Sequence, residues 1–403
     1  MYKKPDFEPS RAEMLGILEQ QIQSIKATES VSLLDSLGRT CANDIYAINT
    51  LPNSKFSKMD GVAVRFADFA TGEPDTSTWR EGHEYVFSNT GCAIPNEYDT
   101  VIAIERVSFD EQGRITVLLQ PSMIGYNVGE PGSQVMGGEL LVAAGQVITP
   151  PLIGLLAAGG YTFVEVLIKP KVAFIPTGDE LVPAGWEVPL HKNVESNSIM
   201  LAAFLKQWGA EPIIFPIIPD VFEKLAEAVK KATEIADLVI ICAGSSKGTK
   251  DFTMDMLESI GEVIVHELGH GPGKHCSLAI VNEKIVIGLP GPMMGAELTA
   301  NYYVRNALQL MNRQPITLCP TLNVILTEEL KGMRFDFVLR LFVYKQNGSY
   351  YAKPVSIGSL TRANANRVHN AETYVPKEAV YQAGQTVAAE LHCPLEHIKE
   401  VEA

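Results

Sequence analysis

Lys171-Val-Ala-Phe-Ile-Pro-Thr177-Gly-Asp-Glu180 is the stretch that decides the fold class. Val172–Ile175 is an apolar run of strand length that breaks at once into a loop with proline and glycine, the pattern of a buried strand. The pattern recurs downstream. Leu238–Cys242 runs into Ala243-Gly-Ser-Ser-Lys-Gly248, and the hairpin-like pair Ser277–Val281 and Lys284–Ile287 runs into Gly288-Leu-Pro-Gly-Pro292. Helical segments lie between and after them. These are Ser198–Trp208, closed by Gly209; a helix running to Ala236 and opened by the capping pattern Asp220-Val-Phe-Glu223; Phe252–Ile260; and a long helix from Met293 to Met311. Pro212–Ile218 reads as a further strand. Strands alternating with helices predict a doubly wound, mostly parallel α/β sheet.

Outside this block the pattern changes. Ser10-Arg-Ala-Glu13 is a capping box, and Leu18, Ile22 and Ile25 follow it at helical spacing. A short second helix is expected over Val31–Leu37, ended by Gly38. From about Asp44 to Leu141, short β-type runs (Glu84–Phe87, Thr100–Ala103, Arg114–Leu119) alternate with turn residues. The most apolar window, Val147–Ile168, is broken by Pro150, Pro151, Gly159, Gly160 and Glu165. A membrane span needs about 20 nearly uninterrupted apolar residues, so this window reads as a short helix, a turn and a strand. After Pro315, strands and turns return. The expected organisation is a helical, linking framework over residues 1–45 and 142–169, an inserted β-rich domain over 46–141, the α/β domain over 170–314, and a small C-terminal β-barrel over 315–403.

The 403 residues carry 33 Lys+Arg against 47 Asp+Glu, a formal charge of -14 that repels phosphate backbones and argues against general nucleic-acid binding. The six cysteines include no CxxC pair, which argues against a zinc knuckle and suits a reducing compartment. The opening MYKKPDFEPSRAE has no apolar stretch, so no secretory signal is expected. Together these predict a cytoplasmic protein with no membrane segment.

In an open α/β sheet, ligands bind outside the carboxyl ends of the strands. Loops 176–180, 243–248 and 288–292 each follow a strand, so they are expected to meet at one edge. Glycine lets backbone amides approach an anion closely, and Thr177, Ser245, Ser246 and Lys247 add hydroxyls and a cation. Asp179, Glu180 and Asp251 stand at the same edge. Carboxylates beside a phosphate are costly unless a divalent cation lies between them, and Mg²⁺ takes such a donor set together with phosphate oxygens. The residues therefore read as a magnesium-assisted phosphate or phosphoanhydride site. There is no GxxxxGK[ST] loop and no GxGxxG after a strand, which weighs against a P-loop nucleotidase or a dinucleotide dehydrogenase.

Several blocks in this order resemble the molybdopterin molybdenumtransferases, the family of MoeA and the gephyrin E-domain. They are LPNSKFSKMDGVAVR (51–65), SNTGCAIPNEYDTVIAIE (88–105), PTGDELV (176–182), ESNSIM (195–200), AGSSKGTKDFT (243–253), PGK (272–274) and GLPG (288–291). The resemblance runs from about residue 10 to about residue 390. It implies a homodimer, with residues 1–45 and 142–169 as the dimerisation domain and 170–314 as the molybdopterin-binding domain. The implied reaction inserts molybdate, or the chemically close tungstate, into adenylylated molybdopterin with Mg²⁺ and release of AMP. Asp60, Glu180 and Asp251 are then the catalytic and metal residues. Thr90, Thr177, Gly178, Asp179, Asn197, Ser198, Gly244, Ser245, Ser246, Gly248, Lys274, Pro290 and Gly291 would line the substrate. Other molybdenum-cofactor proteins are implied as partners.

The chain also departs from the family. The block ending GEDI reads NVGEPGSQV, with Ser133 and Gln134 in place of its acidic pair. GNPVSA reads GPMMGA, with Pro292, Met293, Met294 and Gly295 substituted, and KPGKP reads GPGKH, with Gly271 for a lysine. These changes leave a second reading open, a paralogue that binds the pterin as carrier or sensor without inserting metal; a third is a dimeric scaffold. His266, His270 and His275 read as loop histidines rather than metal ligands, Met254 and Met256 as core, and Lys230-Lys231 as a solvated helix face.

Overall fold

The computed structural model describes residues 7–185, 187–243, 252–355 and 369–401. The chain forms two compact units, one of residues 27–167 and one of residues 1–26 with 168–403.

In the larger unit the expected sheet is present. Its six strands run in the order Glu211–Ile214, Lys171–Thr177, Leu238–Ala243, Lys284–Pro290, Ser277–Val281, Glu262–Val265. The first four are mutually parallel and the last two add antiparallel. Val172–Ile175 and Leu238–Ile241 are fully buried, as near-continuous apolar strands covered on both faces should be. Helix Phe222–Ile235 packs Leu225, Val229 and Ala232 against this sheet, with Met254, Met256 and Leu257 of helix Phe252–Ile260 in the same core. Lys230 and Lys231 stay in solvent. Helix Asn197–Gln207 ends two residues before Gly209, whose φ of +79° only glycine adopts freely.

The long helix after Gly291 is continuous from Met293 to Met311 but contains a π-helical turn at Ala300–Val304. Strands Asp336–Gln346, Ser349–Pro354, Thr321–Leu326, Thr386–Leu391 and Ala371–Val375 close on themselves through pairing of the last with the first, making the expected barrel. The two-residue strand His270–Gly271 adds alongside Asp336–Phe337. Helix Arg11–Gln21 opens with the anticipated reciprocal capping box of Ser10 and Glu13, but ends before Ile22 and Ile25.

In the smaller unit, Gly61–Val64 is the centre of a three-stranded antiparallel sheet between Tyr85–Ser88 and Thr100–Ala103. Its core is Val62, Val64, Tyr85 and Ile102, with Phe69, Val107, Ile115 and Val117. Helix Pro150–Ala158, a turn and strand Phe163–Leu167 follow, as the broken apolar window predicts. One expectation fails here. Residues 31–37 are not a helix: Thr28–Ser32 is a strand paired antiparallel to Phe163–Leu167, and a turn follows. The spacing of Leu33, Leu34 and Leu37 imitates a helical face, but pairing with a distant strand outweighs a short, uncapped run. Gly38 does punctuate the segment, at φ +73°. Among the described residues, no helix is long and apolar enough to cross a membrane.

Candidate functional site

The strand ends set the geometry. Thr177 pairs with Ala243 and Ala243 with Pro290, so the last residues of three parallel strands stand in one row. These strand ends, from which the three loops leave, stand at the carboxyl edge of the sheet. Gly244, Ser245, Ser246, Lys247, Gly248 and Asp251 lie outside the described residues.

At the first strand end, the buried hydroxyl of Thr177 donates to Asp220 Oδ1 at 3.0 Å. Asp179 and Asp220 are joined reciprocally: the Asp220 amide donates to Asp179 Oδ1 at 3.3 Å, and the Asp179 amide to Asp220 Oδ2 at 3.5 Å. Lys192 Nζ donates to the Asp179 carbonyl at 2.5 Å. Gly178 sits at φ +150°, and a Cβ there would lie 2.7 Å from Glu180 Oε2. The carboxylate of Glu180 is thus folded over a glycine that must remain one. Asp220 is the residue sequence reasoning missed. Its capping role fails as well: Val221 occupies the N-cap position with no side-chain bond, because the Asp220 carboxylate is engaged by Thr177. The available signal was position, since Asp220 follows the strand-like Pro212–Ile218 as a fourth loop at the same edge.

Asn197, at the start of its helix, ties the second and third strand ends together. Its amide nitrogen donates to the Gly291 carbonyl at 2.8 Å and lies 3.1 Å from Cys242 Sγ. Burial drives the Cys242 thiol up to about 12, so it stays protonated. Ser198 is buried and given over to Glu195, which accepts from both its amide and its hydroxyl. Gly295 packs between Pro290 and the 273–274 loop: a Cβ on it would lie 2.8 Å from Pro290 Cγ and 3.6 Å from the Gly273 Cα. Gly295, one of the departures noted above, is therefore what lets loop and helix approach. Lys274 Nζ lies 3.2 Å from Glu8 and 3.8 Å from Glu267.

The smaller unit supplies a separate pair. Asp60 is exposed in the turn before Gly61 and accepts from the Thr90 amide at 2.7 Å and its hydroxyl at 3.0 Å. These two donors, the amide first, hold the Asp60 carboxyl below the ordinary aspartate range. Gly61 is obligatory, since a Cβ there would lie 2.0 Å from the Ile102 carbonyl oxygen. Gln134 is placed by its backbone, whose amide donates to the Leu51 carbonyl at 3.0 Å.

Among the described residues, no three His, Cys, Asp or Glu side chains form a metal-binding group. The histidines read as loop residues are engaged elsewhere. His266 lies 3.5 Å from Glu258 and His275 2.8 Å from Glu267. His270 is not a loop residue at all: it is fully buried in a strand, with Nε2 2.6 Å from the Tyr303 hydroxyl. Burial lowers its pKa to about 4.

The chain matches the MoeA N-terminal region (domain I and II) over residues 10–160 and the probable molybdopterin binding domain over residues 173–310. A molybdopterin molybdenumtransferase of Bacillus subtilis (strain 168) is 30% identical over 383 residues, covering 89% of each chain. The chain belongs to the molybdopterin molybdenumtransferase family. It is accordingly a transferase of molybdenum-cofactor biosynthesis. A second molybdopterin molybdenumtransferase, from Haemophilus influenzae, is 28% identical over 97% of this chain and 98% of its own. Among solved structures, a molybdopterin biosynthesis MoeA protein from Pyrococcus horikoshii matches with TM-score 0.80 at 26% identity, over 96% of this chain and 100% of that one.

Proposed function

We propose that this member of the family carries out Mg²⁺-dependent insertion of molybdate or tungstate into adenylylated molybdopterin, releasing AMP. The observation that supports this most is the row Thr177, Ala243, Pro290 with Asp179, Glu180 and Asp220 around its first member. Chemically, the donor set suits the proposal. Carboxylates are hard oxygen ligands, and Mg²⁺ accepts one or two of them together with phosphate oxygens and water. Bound there, the ion would offset negative charge developing on the phosphoanhydride.

The protein's own groups would do the rest. Asp220 holds the Thr177 hydroxyl and the Asp179 amide, so the loop presents its carboxylates in a fixed orientation. Asn197 keeps the Gly291 carbonyl beside the Cys242 strand end, which fixes the third loop. Glu180 and Asp251 are proposed as metal ligands and Lys274 as a phosphate contact; Asp60, in the smaller unit, is proposed separately as a catalytic and metal residue. Asp60 stays ionised well below neutral pH, as a residue handling a metal or its oxyanion requires. A homodimer is proposed on the family resemblance.

The test is AMP release from adenylylated molybdopterin by the purified protein with Mg²⁺, with molybdate and tungstate supplied separately. Asp60→Asn, Glu180→Gln and Asp251→Asn run alongside. Release that depends on the oxyanion and falls at least about 100-fold in the variants supports the assignment. Tight pterin binding with no release would overturn it in favour of a carrier.

A further inference from the structure

The ammonium of Lys274 is already occupied by this chain's own N-terminal segment. Glu8 Oε1 and Oε2 lie 3.3 and 3.2 Å from Lys274 Nζ. The segment is fastened again beside this ion pair, where the Gly269 amide donates to the Pro9 carbonyl at 2.8 Å. A Cβ on Gly269 would lie 2.8 Å from the Glu8 carbonyl oxygen, so glycine is what allows the segment to lie this close. Immediately after Pro9, Ser10 caps the helix Arg11–Gln21, and Arg11 anchors that helix to Glu390 of the barrel at 2.5 and 2.9 Å. The segment therefore has one firmly held end and reaches Lys274 through a side chain.

The two carboxylates near Lys274 differ in kind. Glu267 is buried, with 3% of its side chain exposed, and lies between Lys274 at 3.8 Å and His275 at 2.8 Å. It is a fixed part of the loop. Glu8 is more open, at 20%, and belongs to a different stretch of chain. The Glu8 carboxylate lies against the ammonium, so an incoming phosphate meets a like charge where the lysine would otherwise face it. With Glu8 turned away, the ammonium donors that faced it can turn to an incoming oxyanion.

We infer that Glu8 is an internal competitor for the phosphate of the ligand: a carboxylate that covers Lys274 in the free protein and is displaced when a phosphorylated substrate enters. This rests on the reading of Lys274 as a phosphate contact. Displacement breaks a partly exposed ion pair, an interaction of modest strength, so the competition sets affinity within a narrow range and does not shut the site.

The experiment measures inorganic pyrophosphate binding by calorimetry to the full chain, as wild type, Glu8→Gln, Lys274→Gln and the double variant. Glu8→Gln is expected to bind about 2- to 5-fold more tightly than wild type, the equivalent of one partly exposed ion pair. Lys274→Gln is expected to bind more weakly, and the double variant to match Lys274→Gln, since Glu8 acts only through the lysine. Hydrogen exchange supplies a second readout: pyrophosphate should speed exchange of the Gly269 amide in wild type, as Pro9 loosens. Unchanged affinity in Glu8→Gln with weakened Lys274→Gln would overturn the competition and leave Glu8 a structural tether, the phosphate reading intact. Wild-type affinity in Lys274→Gln, or no binding to any form, would overturn the phosphate reading itself.

Discussion

Replacing Gly178 by alanine is expected to harm both stability and turnover, for separable reasons. The residue sits at φ +150°, which side-chain-bearing residues rarely adopt. Forcing one there costs on the order of 1–3 kcal/mol. For a unit of this size that corresponds to a fall in melting temperature of roughly 2–12 °C. The second effect is steric. The new Cβ would lie 2.7 Å from Oε2 and 2.9 Å from Cδ and Oε1 of Glu180. The far end of a flexible side chain can move away, at about 0.5–1.5 kcal/mol if it leaves its rotamer. It cannot do so and keep its place at the strand end. AMP release is therefore expected to fall by roughly 10- to 100-fold, the penalty for displacing a group by about an ångström. Calorimetric melting of Gly178→Ala, Glu180→Ala and the double variant separates the two effects. The double variant should lose less than the sum of the singles, by about 0.5–1.5 kcal/mol, because the clash is gone while the backbone strain remains. Its turnover should match that of Glu180→Ala. If Gly178→Ala melts with wild type and turns over normally, the account of this loop is wrong.

Thr90→Val keeps the amide donor to Asp60 and removes the hydroxyl, so the Asp60 carboxyl pKa should rise yet stay below the ordinary aspartate value in a carbon-detected NMR titration. His270 is buried neutral, with a folded pKa of about 4 against 6.5 for the free side chain. As pH falls the unfolded chain binds a proton first, so the stability His270 contributes is full above 6.5 and drains towards about 4, by roughly 3 kcal/mol. His270→Gln should flatten that part of the pH dependence of the larger unit's denaturant midpoint; an unchanged profile would refute the assignment. Arg340 pairs with Glu297 at 2.8 Å and lies 3.9 Å from the buried Glu372. Arg340→Met should destabilise the larger unit in calorimetry by less than the about 3–5 kcal/mol of a fully unpaired buried charge, because His392, 3.4 Å from Glu372, still compensates it.

The sheet was legible because its strands are buried on both faces and so read as unbroken apolar runs ending in glycine loops. The alignment of their carboxyl ends followed from parallel pairing alone. Other features depended on partners that local pattern does not reveal. Asp220 looked like a helix cap because Glu223 follows at capping spacing, yet its carboxylate answers to Thr177, 43 residues away. His270 looked like a loop residue among glycines, but pairing of His270–Gly271 with the barrel strand from Asp336 buries it beside Tyr303. The nearer carboxylate on Lys274, Glu8, lies 266 residues away in sequence. Residues 31–37 failed for the same reason, since Thr28–Ser32 finds its partner only at 163–167.

The single row formed by Thr177, Ala243 and Pro290 restricts how this protein can change over generations. Each strand advances about 3.3 Å per residue and alternates its side chains between faces. One inserted residue within any of the three strands would push its loop a full step beyond its neighbours and turn the terminal side chain to the opposite face. Insertions and deletions should therefore be tolerated beyond the row, in the loops, and at the far ends of the strands. Divergence of the chemistry would then proceed by exchanging what the loops carry, while the row itself remains a fixed ruler.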